Sequence, residues 1–176
     1  WLAVGTEARQ VEIRQADTLA TQIVLPWKYD FPLGRVAFSP DGKTIAFFSN
    51  AGSKGQAQLW TVAVGAGAAK KRTQVKGFCA RPKWSPDGQA IAFLYIEGGD
   101  GGGPLMAAQR QTGVIEAEVK NQRIAVLDLK TGKVRMGSPA ELHVYDFDWA
   151  PDSKRVVMTA APGPGDNNWW IAKLYV

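Results

Sequence analysis

The sequence predicts an all-β protein, a β-propeller segment of about three four-stranded antiparallel blades plus a partial one. One observation is a short turn sequence that recurs at 39–42, 85–88 and 150–153. The other is that each copy reads as strand, tight turn and strand, followed by a third strand, in a unit of about 46 residues. Repeated four-stranded antiparallel units of this length are the sequence signature of propeller blades. A β-sandwich is the alternative, but sandwiches do not repeat one turn sequence at a fixed phase.

The turn itself has a clear chemical basis. In the copies at 39–42 and 85–88 it reads Ser-Pro-Asp-Gly, which suits a type I turn with Pro presetting φ at the second position. The third copy keeps Pro and Asp but ends in Ser153, so we expect the turn to survive with a weaker last residue. Before each turn, apolar and polar residues alternate, as in a strand with one buried face.

The later strands are predicted from apolar runs that repeat in the same order. Second strands are expected at 45–48, 91–94 and 156–159; third strands at 59–62, 124–127 and 171–174; weaker fourth strands at 72–76 and 133–136. Upstream, 10–15 and 21–26 are expected to be the last two strands of an earlier copy. The units are therefore 1–32 (partial blade and lead-in), 33–77, 78–137 and 138–176, the second with an insertion at about 97–121 and the third without its last strand.

Composition excludes several classes of protein. The chain has 176 residues, one Cys and one His, which excludes an internal disulfide and any site needing two imidazoles. No apolar run approaches the roughly 18 residues of a membrane-spanning helix. The net charge is +5, and its clearest cluster, at 70–72, is interpreted as a solvated turn and not as a nucleic-acid patch. We expect no metal and no cofactor.

The repeat also resembles a known family. The sequence Phe-Ser-Pro-Asp-Gly-Lys-x-Ile-Ala-Phe at 38–47, followed by Leu-Trp-x-Val at 59–62, is similar to the TolB-type (WD40-like) propeller repeat, and the resemblance covers about 33–176. Such repeats occur in periplasmic TolB-like proteins and in the non-catalytic propeller of prolyl oligopeptidase-family serine peptidases. The long second unit, together with 144–149 and 165–170, is more similar to bacterial members of the peptidase family, of dipeptidyl- and acylaminoacyl-peptidase type.

The resemblance implies a function for a larger parent protein. This chain would be a non-catalytic propeller portion that gates or binds peptide substrate for an α/β-hydrolase domain carrying the serine-peptidase triad. The alternative is a TolB-like protein-binding scaffold with no enzymatic partner domain. The resemblance favours a periplasmic or secreted bacterial protein over a cytoplasmic one.

The residues themselves predict no catalytic centre. None of the serines lies in Gly-x-Ser-x-Gly, and the nearest sequence, at 52–55, has the wrong spacing for a nucleophile elbow. His143 stands just before the third repeated turn and is interpreted as a partly buried structural residue. The recurring Asp41, Asp87 and Asp152 are explained by hydrogen bonds within the turn. Cys79 is interpreted as a small buried hydrophobic residue.

Binding residues are expected on the loops of one face. The loops between second and third strands should emerge opposite the Ser-Pro-Asp-Gly turns, and long loops on a rigid scaffold are where binding is often placed. Glu116 and Glu118 are candidates to bind a peptide amino terminus, as acidic propeller residues do in dipeptidyl peptidases. Asp166, Asn167 and Trp169 are further candidates for contact with a peptide or protein, although alternation predicts that one of the two adjacent tryptophans packs in the core.

Three full units and a partial one are too few strands for a closed ring of ordinary size. We expect either that this sequence is a fragment, completed by remaining blades or the hydrolase domain of the parent chain, or that a second copy closes the ring. The absence of a starting Met and of a last strand favours the fragment.

Overall fold

The computed structural model describes residues 2–5, 11–25, 36–52, 56–65, 68–99, 120–163 and 166–176. These form four antiparallel sheets in which strands adjacent in sequence pair with each other. The first, here called the lead-in sheet, contains β1 (Leu2–Gly5), β2 (Val11–Arg14) and β3 (Thr21–Leu25). Blade 1 contains β4 (Ala37–Phe38), β5 (Thr44–Ser49), β6 (Gln58–Ala63) and β7 (Lys70–Lys71).

The next two sheets repeat the same order. Blade 2 contains β8 (Gly77–Trp84), β9 (Ala90–Glu97), β10 (Arg123–Asp128) and β11 (Val134–Met136). Blade 3 contains β12 (Leu142–Trp149), β13 (Val156–Pro162), a 3-10 helix (Asp166–Ile171) and β14 (Lys173–Tyr175). The predicted fold class is confirmed: the protein is all-β, and its sheets are propeller blades that do not close a ring.

The repeated turn forms as its sequence predicts. The amide of Gly42 donates to the Ser39 carbonyl at 2.8 Å, which closes the turn, and Gly42 has a φ of +68°. The Ser39 hydroxyl donates to Asp41 at 2.6 Å, and Asp41 in turn accepts the Lys43 amide at 3.0 Å. The turn after β8 repeats these bonds with Ser85 and Asp87. A glycine therefore stands where the chain must turn left-handed.

The third copy of the turn differs at both ends. Ala150 has no hydroxyl, and here the Arg155 guanidinium contacts Asp152 at 2.9 Å. Ser153 replaces the glycine and adopts a φ of +58°, which is strained for a residue with a side chain. Its hydroxyl accepts the Asp87 amide at 2.9 Å, so the substitution links the turns of blades 2 and 3.

A tryptophan joins each blade to the one before it. The indole of Trp84 donates to the Ala37 carbonyl of blade 1 at 3.0 Å, and the indole of Trp149 donates to the Lys83 carbonyl of blade 2 at 3.1 Å. Strand register places Ala37 and Lys83 at the same position in their blades, opposite Ala46 and Ala92. The first strands of the three blades therefore lie side by side, at the inner edge of the row.

The cores lie between blades. Between blades 1 and 2, Phe48 and Leu59 of one sheet pack against Phe93 of the other, with the two phenylalanine rings 5.5 Å apart and edge to face. Between blades 2 and 3, Ile124 packs with Phe147 in a second cluster. Fully burying each such side chain stabilises the fold by about 1.5–3 kcal/mol. The second and third strands of blade 2 contribute to both clusters, which explains their continuous apolar runs.

Two predicted strands need correction. The predicted fourth strand at 72–76 is wrong, because only Lys70–Lys71 pairs with β6. Side chains hold the segment that follows. The Thr73 hydroxyl accepts a hydrogen bond from the Leu59 amide at 2.9 Å. The side-chain amide of Gln58 donates to the Val75 carbonyl and accepts from the Val75 backbone N–H. Upstream, the two predicted strands form as β2 and β3, and Leu2–Gly5 adds a third strand that pairs with β2.

The third strand of blade 3 is also displaced from its predicted place at 171–174. Leu174 pairs with Thr159, as Ile124 pairs with Leu94 in blade 2, so Leu174 and not Ile171 occupies the repeated position. The reason is that the 3-10 helix takes up residues Asp166–Ile171 before the strand begins.

We predict that Gly77→Ala destabilises the protein far more than Gly42→Ala. A Cβ on Gly77, whose φ is +134°, would lie 2.0 Å from the Ile96 carbonyl oxygen, whereas a Cβ on Gly42 meets no atom within 4 Å. The expected losses in free energy of unfolding are about 3 kcal/mol or more and about 1 kcal/mol, respectively. Urea denaturation of both variants measures them, and equal losses would contradict the structure.

We predict that acid weakens the fold through the turn aspartates. Hydrogen bonds from Ser39 and the Lys43 amide lower the pKa of Asp41 from its ordinary value of 3.8, and Ser85 and the Gln89 amide do the same for the pKa of Asp87. The unfolded chain therefore binds protons first, so this stabilisation is complete above pH 3.8 and is lost as pH falls through the lowered pKa values.

The measurement is the urea midpoint from pH 7 down to pH 2. Asn at both aspartate positions should give a less stable protein at neutral pH whose stability falls less steeply in acid. An unchanged slope would show that these two carboxyls do not govern acid unfolding. Asp17→Asn, at an exposed residue in the turn between β2 and β3, is the control.

Candidate functional site

The two faces of the row differ in how freely their side chains can meet a ligand. On one face lie the repeated turns, whose hydroxyls and carboxylates bond one another and the backbone. At the opposite face, here called the loop face, the second strands end and the third strands begin. The connections between these strands are residues 50–57 in blade 1, 98–122 in blade 2 and 163–172 in blade 3. The connection in blade 2 is about three times as long as that in blade 1.

The described ends of the long connection are firmly anchored. The amide of Gly98 donates to the Lys76 carbonyl at 2.8 Å, and the side-chain amide of Asn121 donates to the Ala140 carbonyl at 2.8 Å. Both carbonyls belong to the segments that enter or leave blade 2, so the connection starts and ends on fixed backbone. Glu116 and Glu118 lie outside the described residues, and their role in binding an amino terminus stays a prediction.

The connection in blade 3 presents two indoles to solvent. Asp166 and Asn167 begin the 3-10 helix, in which Asn168 is tied to the Pro162 carbonyl at 3.0 Å. Trp169 is 67% exposed and Trp170 is 71% exposed. The expectation that one of them packs in the core is therefore wrong. Adjacent side chains of a strand point to opposite sides, but these two tryptophans lie in a 3-10 helix, and both side chains are on the surface. A binding role for Asp166, Asn167 and Trp169 stays a prediction.

His143 is a structural residue of blade 3. Its side chain is buried, its Nδ1 accepts the Gln122 amide at 3.3 Å, and its ring lies 5.1 Å from that of Tyr145. Nδ1 is thus used to fix the start of β10. His143 takes part in none of the hydrogen bonds that the structure gives to the described serine hydroxyls. These serines are Ser39, Ser49, Ser85, Ser138 and Ser153.

The inner edge of blades 2 and 3 carries a charged cluster. Lys83 lies 3.6 Å from Asp148 and 3.8 Å from Asp146, donates to the Phe147 carbonyl and sits 5.1 Å from the centre of the Phe147 ring. Arg81 contacts Asp146 at 3.2 Å. Arg81 has a φ of +53° within a bulge in β8 between Ala80 and Lys83. The bulge turns the strand so that its cations meet the carboxylates of the next blade.

Sequence reasoning missed this cluster, although its signal was present. On the polar side of the first strands, the second copy has Arg81 and Lys83 where the third has Asp146 and Asp148. A change of sign at equivalent positions of adjacent blades predicts attraction between them.

Buried Cys79 packs between blades 1 and 2, as its sequence context predicts. Burial raises the pKa of its thiol to about 12, so it is not a nucleophile at neutral pH. Among the described residues, no three His, Cys, Asp or Glu side chains are grouped closely enough to hold a metal ion. Nor does the described part of the chain contain a helix with the length and apolar character to cross a membrane.

Comparison with known proteins supports the fold. No protein family matches the sequence, and no curated protein does. Solved structures do match. A putative TolB from Agrobacterium tumefaciens is 15% identical over 87% of this chain and 50% of its own, with a TM-score of 0.52. The acylaminoacyl peptidase of Pyrococcus horikoshii is 16% identical over 85% of this chain and 23% of its own, with a TM-score of 0.55.

A third match is a structure of prolyl endopeptidase, 20% identical over 88% of this chain and 23% of its own, with a TM-score of 0.56. The chain is a segment of a β-propeller. The resemblance to TolB and to peptidase propellers is thus confirmed at the level of the fold, which at these identities is what the matches establish. The segment spans half or less of the length of each of these solved structures.

We predict that Lys83→Met lowers the free energy of unfolding by about 1–2 kcal/mol, because it removes a charged hydrogen bond, two ion pairs and a cation–π contact while keeping the length of the side chain. Lys154→Met, on an exposed lysine whose side chain has no such contacts among the described residues, should change it by less than about 0.5 kcal/mol. Urea denaturation at low salt and at 1 M NaCl measures both. The difference should shrink at high salt; equal effects of the two substitutions would refute the role of the cluster.

Proposed function

We propose that this segment belongs to the non-catalytic propeller of a prolyl oligopeptidase-like serine peptidase, where it gates or binds peptide substrate for an α/β-hydrolase domain. The observation that carries the proposal is the asymmetry of the two faces. The turn face is closed by short turns whose polar groups are hydrogen-bonded. At the loop face, residues 98–122 separate the end of β9 from the start of β10, and two indoles are exposed. A long loop on rigid strands suits a filter or a binding surface.

The absence of catalytic geometry in the described residues fits this assignment. His143 is buried and bonded to backbone, and the described serine hydroxyls bond aspartates or backbone amides of the turns and strands. Chemistry would thus be supplied by a separate domain, for which the propeller restricts access. The fold shared with acylaminoacyl peptidase and prolyl endopeptidase supports the proposal, because those enzymes contain a propeller of this kind.

A TolB-like binding scaffold is the second candidate. It is favoured by the exposure of Trp169 and Trp170, since large exposed indoles are typical anchors of protein–protein contacts. The two candidates make different predictions about the sequence that follows in the gene. Within about 300 residues, one or two domains' length, a peptidase should show Gly-x-Ser-x-Gly followed by Asp and His. A scaffold should end after one to four more repeats.

In the parent peptidase, we predict that replacing 98–122 with the short connection 50–57 of blade 1 relaxes the size limit on substrates. The kcat/KM for long peptides should rise relative to that for dipeptide substrates, because a loop that narrows the entrance is removed. Asp41→Asn, on the turn face, is the matched control and should leave this ratio unchanged. An unchanged ratio in the loop variant would contradict gating by this face.

A second readout addresses the acidic candidates. Glu116→Ala and Glu118→Ala should raise KM about tenfold for peptides with a free amino terminus, which corresponds to roughly 1.4 kcal/mol, and leave KM for amino-blocked peptides unchanged. If KM is unchanged for both classes, these carboxylates do not bind the amino terminus. The 176-residue chain alone should hydrolyse no peptide under either candidate function, and robust hydrolysis would overturn both.

A further inference from the structure

Strand register shows which positions of the three blades are equivalent. Leu59 pairs with Phe48 in blade 1, Ile124 pairs with Leu94 in blade 2, and Leu174 pairs with Thr159 in blade 3. In blades 1 and 2 these positions face the following blade: Leu59 lies in the cluster between blades 1 and 2, and Ile124 in the cluster between blades 2 and 3. Leu174 therefore belongs to the side of blade 3 that faces away from blade 2. This side is here called the far face.

Exposure at equivalent positions differs sharply. Leu59 and Ile124 are both 0% exposed, whereas Leu174 is 75% exposed. Val176, which follows Tyr175 and so takes the position of Val126 in blade 2, is 84% exposed, against 5% for Val126. The far face thus has the side chains of a blade interface without the covering sheet.

The exposed large hydrophobic residues of the described chain are concentrated near its carboxyl end. Seven are exposed, and five of them lie from Trp169 to Val176; the other two, Leu19 and Val24, lie in the lead-in sheet or its turn. None lies in the described residues between Val36 and Gly163. Of these five, register places Leu174 and Val176 on the far face, whereas the other three belong to the 3-10 helix of the loop face. Exposed apolar side chains at positions that are buried in the other blades mark an interface.

The polar groups of the far face indicate what kind of sheet fits it. The Asp148 carbonyl occupies the position of the Ala37 and Lys83 carbonyls, each of which accepts an indole N–H from the next blade. Beside it, the carboxylates of Asp146 and Asp148 are more than half exposed. At the interface of blades 2 and 3, the same two positions hold Arg81 and Lys83, which meet carboxylates of the following blade.

We propose that the far face is the seat of one further four-stranded sheet of the same repeat, supplied by the same polypeptide after Val176. Its first strand carries a tryptophan whose indole donates to the Asp148 carbonyl, and Lys or Arg side chains that pair with Asp146 and Asp148. Its apolar face covers Leu174 and Val176. A symmetric contact between two copies through this face is disfavoured, because it would bring the four carboxylates together.

The inference concerns packing and is independent of whether the parent protein is a peptidase. Its first test is the reading frame after Val176. We expect a strand ending in Trp and a Ser-Pro-Asp-Gly-like turn within the next repeat, with Lys or Arg two and four residues after the equivalent of Val144. A stop codon within a few residues, or a first strand that is acidic at those positions, would overturn the proposal.

The second test compares the 176-residue chain with the polypeptide extended by one repeat. Leu174→Asp should lower the melting temperature of the extended polypeptide by about 6–12 °C, because it places a charge in a covered interface, and that of the shorter chain by less than about 2 °C. Ile124→Asp, in an interface present in both, should destabilise both. Leu19→Asp, outside the far face, should affect neither.

Two results would overturn the proposal. Equal, small effects of Leu174→Asp in both polypeptides would show that the added repeat does not cover the far face. In light scattering, we expect the extended polypeptide to be a monomer. Its mass should be the 19.1 kDa of the 176-residue chain plus the mass of the added repeat. A dimer that Leu174→Asp dissociates would show that a second copy occupies the face instead, and would overturn the proposal.

Discussion

The central strands of each blade are apolar on both faces, and such a sheet is stable in water only when neighbours cover both of them. In blade 2 this requirement is met twice. Phe93 faces the cluster shared with blade 1, and Ile124 faces the cluster shared with blade 3. Each blade therefore depends on its neighbours for cover, and the groups at the faces and edges of the row are positioned by that packing.

The groups that hold the blades together lie on different surfaces from those that could bind a ligand. At the inner edge, the indoles of Trp84 and Trp149 and the cations of Arg81 and Lys83 hold neighbouring first strands together. On the turn face, hydroxyls and carboxylates close short loops. These groups are occupied, whereas in the described part of the chain the loop face and the far face present large exposed apolar side chains. The proposed function and the proposed docking of a further sheet use these two surfaces separately.

The sequence allowed prediction of features set by local chemistry and failed where the chain departs from a regular strand. The turns at 39–42 and 85–88 were predictable because Ser, Asp and Gly satisfy one another within five residues. The place of β14 was not, because the 3-10 helix Asp166–Ile171 moves the repeated position from Ile171 to Leu174. The same helix places Trp170 on the surface, where strand alternation predicts a core position. The contacts of Arg81 depend on a bulge and on the neighbouring blade, and neither is encoded within its own strand. Glu116 and Glu118 lie outside the described residues, so a binding role for them is still inferred from sequence alone.

The bond from Trp149 to the Lys83 carbonyl has a consequence for how such proteins can change in length. Each indole reaches only the blade that precedes it in the chain, and the blades contact their neighbours in sequence order. The stability of the row is then close to a sum of terms for single blades and adjacent pairs. Duplication of one unit in the gene would add a blade that brings its own tryptophan and finds a matching carbonyl already in place. A ring built in this way can gain or lose a blade during evolution without redesign of the others.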